Sequence, residues 1–326
     1  MRIRSIGVLA GGFSEERDIS LKSGAAVSCA LSQLGYNVCE IDFRSQDEFI
    51  SKLKSVQVDC IFNALHGSFG EDGQAQAIMD DLEIIYTGSG PHSSSLGMDK
   101  IASRKIFTEN GFFVPEYQIV KSLDFKLQGF FLKTPLVVKP VHCGSSIGIS
   151  IVNSSDELLC AVQKALALDN LAVVEEYVAG REITVGILDD QALPIIEILS
   201  KNSIYDFQAK YDSSLTEYKL PAFFSPGMSR KIQKLALKAH HALGCRCFSR
   251  VDMIINQQDC PVVLEVNTIP GFTNTSLLPK AALFAGISFP ALCQRILDAV
   301  VNCVVNPAAD QINCSANRAK RSRIFN

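Results

Sequence analysis

The chain has 326 residues, 47% of them hydrophobic and 20% charged. At about 100–200 residues per domain it holds two or three packed units, and the apolar content excludes a largely disordered chain. Lysine and arginine number 31 against 34 aspartate and glutamate, a formal charge of −3, so neither nucleic acid nor an anionic membrane is an expected partner. Eleven cysteines, an odd count with no C-x-x-C spacing, read as reduced and mostly buried thiols rather than a disulfide framework or a zinc site. The apolar run at residues 5–10 gives way at once to Gly11-Gly12 and the charged Glu15, Glu16, Arg17 and Asp18, too soon for a secretory signal. No stretch approaches the roughly 18 apolar residues of a membrane span, so a cytoplasmic protein is expected.

The first 90 residues alternate strand and helix. Strands are predicted at 5–10, 37–43, 58–65 and 84–87, with helices near 47–55 and 72–82. Ser20 is the expected cap of the first helix, whose apolar face carries Val27, Ala30, Leu31 and Leu34 and which Gly35 ends. This βαβα rhythm implies an α/β fold with a parallel sheet and ligand sites at the carboxyl ends of its strands. Gly88-Ser89-Gly90-Pro91 marks a boundary between a first domain, 1–95, and a second, 96–180. The second is predicted to hold helices at 99–110 and 156–168 and strands at 136–141, 147–152 and 172–178. A third, 181–305, begins with strands at 182–188 and 195–199 and a polar loop over 202–221. A helix from Ser229 to the stop at Gly244 follows, then strands at 248–255 and 262–266 and C-terminal helices. His240 and His241 have no metal partner at i+4 and are expected at the surface, and Cys245 and Cys247 as packing thiols. Residues 306–326 are polar, with Arg318, Lys320, Arg321 and Arg323 crowded together, and read as a solvated terminus.

Three clusters carry chemistry. Asp252 on one strand and Glu265 and Asn267 at the end of the next offer only oxygen ligands, a set that suits Mg²⁺. Residues two apart on a strand share a face, so Glu265 aligns with Asn267 and Arg250 with Asp252, which sets a cation beside the metal ligands. Gly144-Ser145-Ser146-Ile147-Gly148, preceded by Lys139-Pro140, lets backbone N–H groups approach phosphate oxygens while Lys139 supplies charge. It does not match the P-loop spacing, and Gly11-Gly12 does not match the dinucleotide fingerprint. Third, the strand that carries Glu175, Glu176 and Val178 ends at a Gly180 hinge followed by Glu182, an arrangement suited to an adenine edge and ribose hydroxyls.

In this order the clusters resemble the ATP-grasp superfamily and, within it, the D-alanine–D-alanine ligase branch, over about residues 5–298. The segment from Gly11-Gly12 through Glu16 to Ser20, His66-Gly67 with Gly70-Glu71-Asp72-Gly73, Tyr86-Thr87-Gly88, and Met98-Asp99-Lys100 all look like that branch's markers. So do Lys210-Tyr211, Arg250-Val251-Asp252 and the run from Glu265 to Gly271. The resemblance implies a three-domain ATP-grasp fold whose N-terminal parallel-sheet domain binds substrate. It also implies ATP-dependent joining of two D-alanines through an acyl phosphate, for peptidoglycan precursors.

By the same resemblance Lys100, Lys139 and Lys210 contact ATP phosphates, and Glu175, Glu176, Val178 and Glu182 hold the nucleoside. Asp252, Glu265 and Asn267 bind two Mg²⁺ ions, for which Mn²⁺ can substitute. Glu16 holds the first D-alanine's ammonium in a set with Ser145 and Tyr211, with His66 nearby. Arg250 and the Gly271 N–H stabilise the oxyanion, and Ser276 and Leu277 receive the second substrate's carboxylate. A homodimer is expected from the family alone. The alternatives are another ATP-grasp carboxylate–amine ligase, a D-alanine–D-lactate ligase, or an ATP-binding regulator without catalysis; the last predicts a missing ligand or cation, and all four are present. A lid over 202–221 is expected to shield the acyl phosphate from water.

Overall fold

The structure, a computed structural model, describes residues 3–123, 131–200, 216–273 and 275–305. Strand β1 (Ser5–Leu9) lies between β2 (Asn37–Ile41) and β3 (Cys60–Asn63), and all three run parallel, as the alternating pattern predicts. Helices α1 (Arg17–Gln33), α2 (Gln46–Ser55) and α3 (Gln74–Asp81) complete this unit. Helix α1 starts earlier than expected, so Ser20 lies in its first turn and does not cap it. The Ser20 hydroxyl instead accepts from the Gly11 N–H and donates to the Ala64 carbonyl, both at 2.8 Å, tying together the loops that leave β1 and β3. The strand expected at 84–87 contributes only one parallel bridge, Tyr86 to Ile61.

Pro91 opens α4 (Pro91–Met98), and Asp99 caps α5 (Lys100–Glu109) by accepting from the Ile101 and Ala102 N–H groups. A second sheet follows, antiparallel throughout, in the order β4 (Tyr117–Val120), β7 (Ala172–Glu176), β5 (Leu136–Pro140), β6 (Ser150–Val152), with α6 (Ser155–Leu166) between β6 and β7. The third sheet pairs β8 (Gly180–Leu188) with β9 (Gln191–Ala192), β10 (Ile196–Ser200) and β12 (Phe248–Asn256). Its edges are β11 (Thr216–Lys219) and β13 (Pro261–Asn267). Strand β11 corrects part of the polar loop expected over 202–221: alternate residues Thr216 and Tyr218 turn toward the core while Glu217 and Lys219 face solvent. The rest of that loop lies outside the described residues.

One face of the third sheet packs Ile183, Val185, Val251 and Met253 against α5 and α7 (Pro226–Ala242). The other meets α8 (Leu277–Phe284), and α9 (Phe289–Val305) returns to lie along α1 of the first unit. Among the described residues no single helix is long and apolar enough to cross a membrane. His240 corrects its surface expectation: it is 1% exposed on the inner face of α7, with Nδ1 2.7 Å from the Ser249 hydroxyl. His241, one residue on, points outward to Asp190. Cys245 and Cys247 are buried as expected, but Cys29, Cys39 and Cys160 are exposed; Cys39, for one, lies on the edge strand β2.

Candidate active site

All three sheets contribute to one cavity of about 100 Å³. From the first unit come Glu16, His66 and Glu71; from α5, Lys100; from the loop after β5, Gly144 and Ser145. The third sheet and the loop beyond it add Arg250, Glu265, Asn267, Gly271, Ser276 and Leu277. Residues up to 261 positions apart thus meet at one point, 16 to 277.

Glu16 is the residue before α1, and Arg17 anchors it there. The Arg17 guanidinium grips both oxygens of Asp42 and donates to the Gly12 carbonyl at 2.6 Å, so the Gly11-Gly12 turn and the helix start move as one piece. Across the cavity Ser145 donates its hydroxyl to the Glu16 carboxylate. Ser145 and Ser146 both hold left-handed backbone, with φ of 49° and 59°, a conformation that costs a non-glycine residue about 1 kcal/mol or more. His66 is buried, with Nδ1 3.0 Å from Glu71 and Nε2 3.0 Å from the Ser23 hydroxyl, which also accepts from the Phe272 N–H at 3.3 Å. Burial holds the Glu71 carboxyl above its usual range, and nearby Glu16 adds to the shift while His66 opposes it.

On the third sheet the predicted face holds. Arg250 lies opposite Asn267, and Asp252 opposite Glu265. Arg250 donates to both Asp252 oxygens, at 2.9 and 2.8 Å, and the Thr184 hydroxyl adds a bond of 2.6 Å from β8. The pairing slips between Asp252 and Met253, a bulge that breaks strict alternation. It lets Val263 enter the core beside Val266, while Glu265 and Asn267 face the cavity. Glu265 and Asn267 line the cavity while Asp252 stands beside them in the grip of Arg250 and Thr184, and the all-oxygen chemistry of the three suits a hard divalent cation. Gly271 sits where any Cβ would lie 2.6 Å from the Ser276 hydroxyl, which leaves its backbone as the only surface presented.

Lys100 and Lys139 are both buried. The Lys100 ammonium donates to the carbonyls of Cys143 at 2.7 Å and Val141 at 3.3 Å, and burial brings its pKa down to about 8. Lys139 is also lowered by burial, against the opposing pull of Glu175 at 2.9 Å. Glu175 points inward to Lys139 and Arg104, away from the Glu176 and Val178 groove, which is a separate hollow closed by Asn256 and Gln258. Glu182 is half-buried on β8. Cys143 lines the cavity, but burial pushes its thiol up in spite of Lys100, so it is not an activated thiolate. Lys210 and Tyr211 lie outside the described residues. The sequence reading assigned no role to Ser23, Glu71, Arg104 or Thr184. Glu71 stands in the Gly70-Glu71-Asp72-Gly73 motif, and Arg104 lies one helical turn from Lys100.

Comparison with known proteins leads to one family. Residues 106–298 match the family model described as D-ala D-ala ligase C-terminus. A D-alanine–D-alanine ligase of Syntrophotalea carbinolica is 44% identical over 294 residues, 90% of this chain and 95% of that protein. The crystal structure of the Bacillus anthracis D-alanine–D-alanine ligase superposes with a TM-score of 0.82 at 35% identity, covering 92% of this chain and 98% of that one. The same enzyme complexed with ATP gives 0.80 at 33% identity over the same shares.

Proposed function

The chain belongs to the D-alanine–D-alanine ligase family, and from that premise we propose that its cavity joins two D-alanines at the expense of ATP, for peptidoglycan precursors. The observation that carries this is the meeting of Glu16 and Ser145 with Arg250, Glu265, Asn267, Gly271 and Ser276 around one small cavity. A carboxylate is a poor acyl donor because its oxygen leaves badly. The first D-alanine therefore takes the γ-phosphoryl group, giving an acyl phosphate and ADP, and the neutral amine of the second attacks the acyl carbon as phosphate leaves.

Glu16, held by Ser145, receives the first substrate's ammonium, and His66 closes that side. Lys100 and Lys139 offset phosphate charge, and Glu176, Val178 and Glu182 take the nucleoside; Glu175, expected there too, is turned inward with both oxygens paired to Arg104 and Lys139 and is corrected to a partner of Lys139. Asp252, Glu265 and Asn267 would hold Mg²⁺, or Mn²⁺ in its place, which when bound neutralises the approach of two anions. Arg250 and the Gly271 N–H face the charge that develops on the acyl oxygen, where loss of one donor typically costs about 2.7–4 kcal/mol. Ser276 and Leu277 receive the second carboxylate. Lys210 and Tyr211 belong to the same reading from outside the described residues, as do a homodimer and a cytoplasmic place of action.

The test is phosphate release from ATP on addition of D-alanine, with and without Mg²⁺, with the product identified by mass. D-alanyl-D-alanine is expected; a depsipeptide formed preferentially from mixed D-alanine and D-lactate would overturn the reading. Glu265→Gln should fold yet nearly abolish turnover, because one anionic ligand is lost without a change of shape. Full activity of that variant at ordinary Mg²⁺ would remove the metal assignment.

A further inference from the structure

Arg104 is fully buried, and its Nε and Nη1 have no hydrogen-bond partner among the described residues. Its remaining amino group binds Glu175, and its guanidinium carbon lies 5.1 Å from the centre of the Tyr117 ring. The second sheet explains how this arises. Tyr117 on β4 is directly opposite Glu175 on β7, and Lys139 on β5 is the diagonal neighbour of Glu175, since Val137 pairs with Glu175 and Lys139 with Val173. All three side chains therefore stand on one face of the sheet. Helix α5 reaches that face through Arg104, one turn after Lys100.

A buried guanidinium with two unmet donors is costly, and a neutral residue at this place would avoid that cost. What a neutral residue would not do is compensate Glu175. Without Arg104 the carboxylate and Lys139 would form a closed, neutral pair. With it, Glu175 is shared between two cations and the trio keeps a net positive charge beside a third cation, Lys100.

We propose that Arg104 is a positioning residue for the nucleotide: by holding one oxygen of Glu175, it keeps the Lys139 ammonium placed and uncompensated for a phosphate of ATP. This rests on the reading above that Lys139 meets the nucleotide. Arg104 and Lys139 together hold Glu175 ionised against burial, and the ionised Glu175 in turn offsets the lowering of the Lys139 proton affinity that burial and the Arg104 charge cause.

The test compares KM for ATP with KM for D-alanine in Arg104→Met, Glu175→Gln, the double variant and Lys139→Met, with folding checked by circular dichroism. Arg104→Met should raise KM for ATP about tenfold, with KM for D-alanine changed less than about twofold. Arg104→Lys, which keeps the charge, should recover most of the loss. In the Glu175→Gln background, removing Arg104 should change KM for ATP less than about twofold, because the carboxylate through which it acts is gone. A further loss of about tenfold in the double variant overturns the proposal, and that comparison decides the matter even if Arg104→Met alone does not fold. Unchanged ATP affinity in Lys139→Met would instead remove the underlying reading of Lys139.

Discussion

Lys100 shows how burial turns a side chain into a pH-sensitive one. Its ammonium is enclosed, with backbone carbonyls as its bonded partners, and burial lowers its pKa from 10.5 to about 8 although Glu265 pulls the other way. The free enzyme therefore loses this cation as pH rises through about 8, whereas the unfolded chain keeps it to 10.5. The stability penalty of the buried charge is full below pH 8 and relieved between 8 and 10.5, so the folded state gains as activity falls. For activity, kcat/KM for ATP should decline about tenfold per pH unit above the transition, while kcat at saturating ATP falls later because bound phosphate retains the proton. Lys100→Arg should remove the alkaline limb, since a guanidinium stays charged there. A pH–rate profile with ATP varied is the check; a flat profile through the alkaline range would exclude Lys100 from phosphate binding.

At the scale of the element, helix α7 carries a buried histidine whose cost depends on pH. Burial lowers the His240 pKa to about 3 from 6.5, and the adjacent His241 adds to the shift. Between these values the unfolded chain takes up a proton that the folded chain refuses, so stability is lost as pH falls through that window. The slope from this one group is at most about 1.4 kcal/mol per pH unit. His240→Gln, which keeps a polar partner for Ser249 without titrating, should flatten the acid side of a melting-temperature profile. Parallel wild-type and variant profiles from about pH 6 to pH 4 would show that His240 does not set the acid limit. The neighbouring pair β12 and β13 shows a different kind of control, where one bulged residue sends Val263 to the core and Glu265 to the cavity.

The first and third sheets share one core although the second lies between them in the chain. Helix α9, at the end of the described chain, packs on α1 near its beginning, and Leu292, Ile296 and Val300 join the same core as Val27 and Leu31. The unit that carries Glu16 is thereby fastened to the unit that carries Arg250 and Gly271. Ile296 is fully buried in this contact, so Ile296→Ala should cost about 2–5 kcal/mol. Because the contact joins two units, the loss should lower one common unfolding transition. Separate transitions in the variant, with the third sheet's melting unmoved, would show that the units unfold independently; calorimetry distinguishes the outcomes.

What the residues alone determined is local and periodic. The parallel first sheet follows from βαβα alternation, and the shared face of Arg250 with Asp252 and of Glu265 with Asn267 follows from the two-residue period of a strand. The stop at Gly35 follows from a backbone at φ 86° that glycine adopts without penalty. What tertiary structure decided is whatever depends on which other segment arrives. Ser20 fits the composition of a cap, yet two loop groups from Gly11 and Ala64 claim its hydroxyl. His240 reads as one of two surface histidines, but the sheet beneath α7 brings Ser249 to it. Arg104 is an ordinary helix residue until β7 places Glu175 under it. Periodicity sets the direction of a side chain relative to its own backbone, while its partner is set by packing between segments far apart in the chain, which spacing along one segment does not encode.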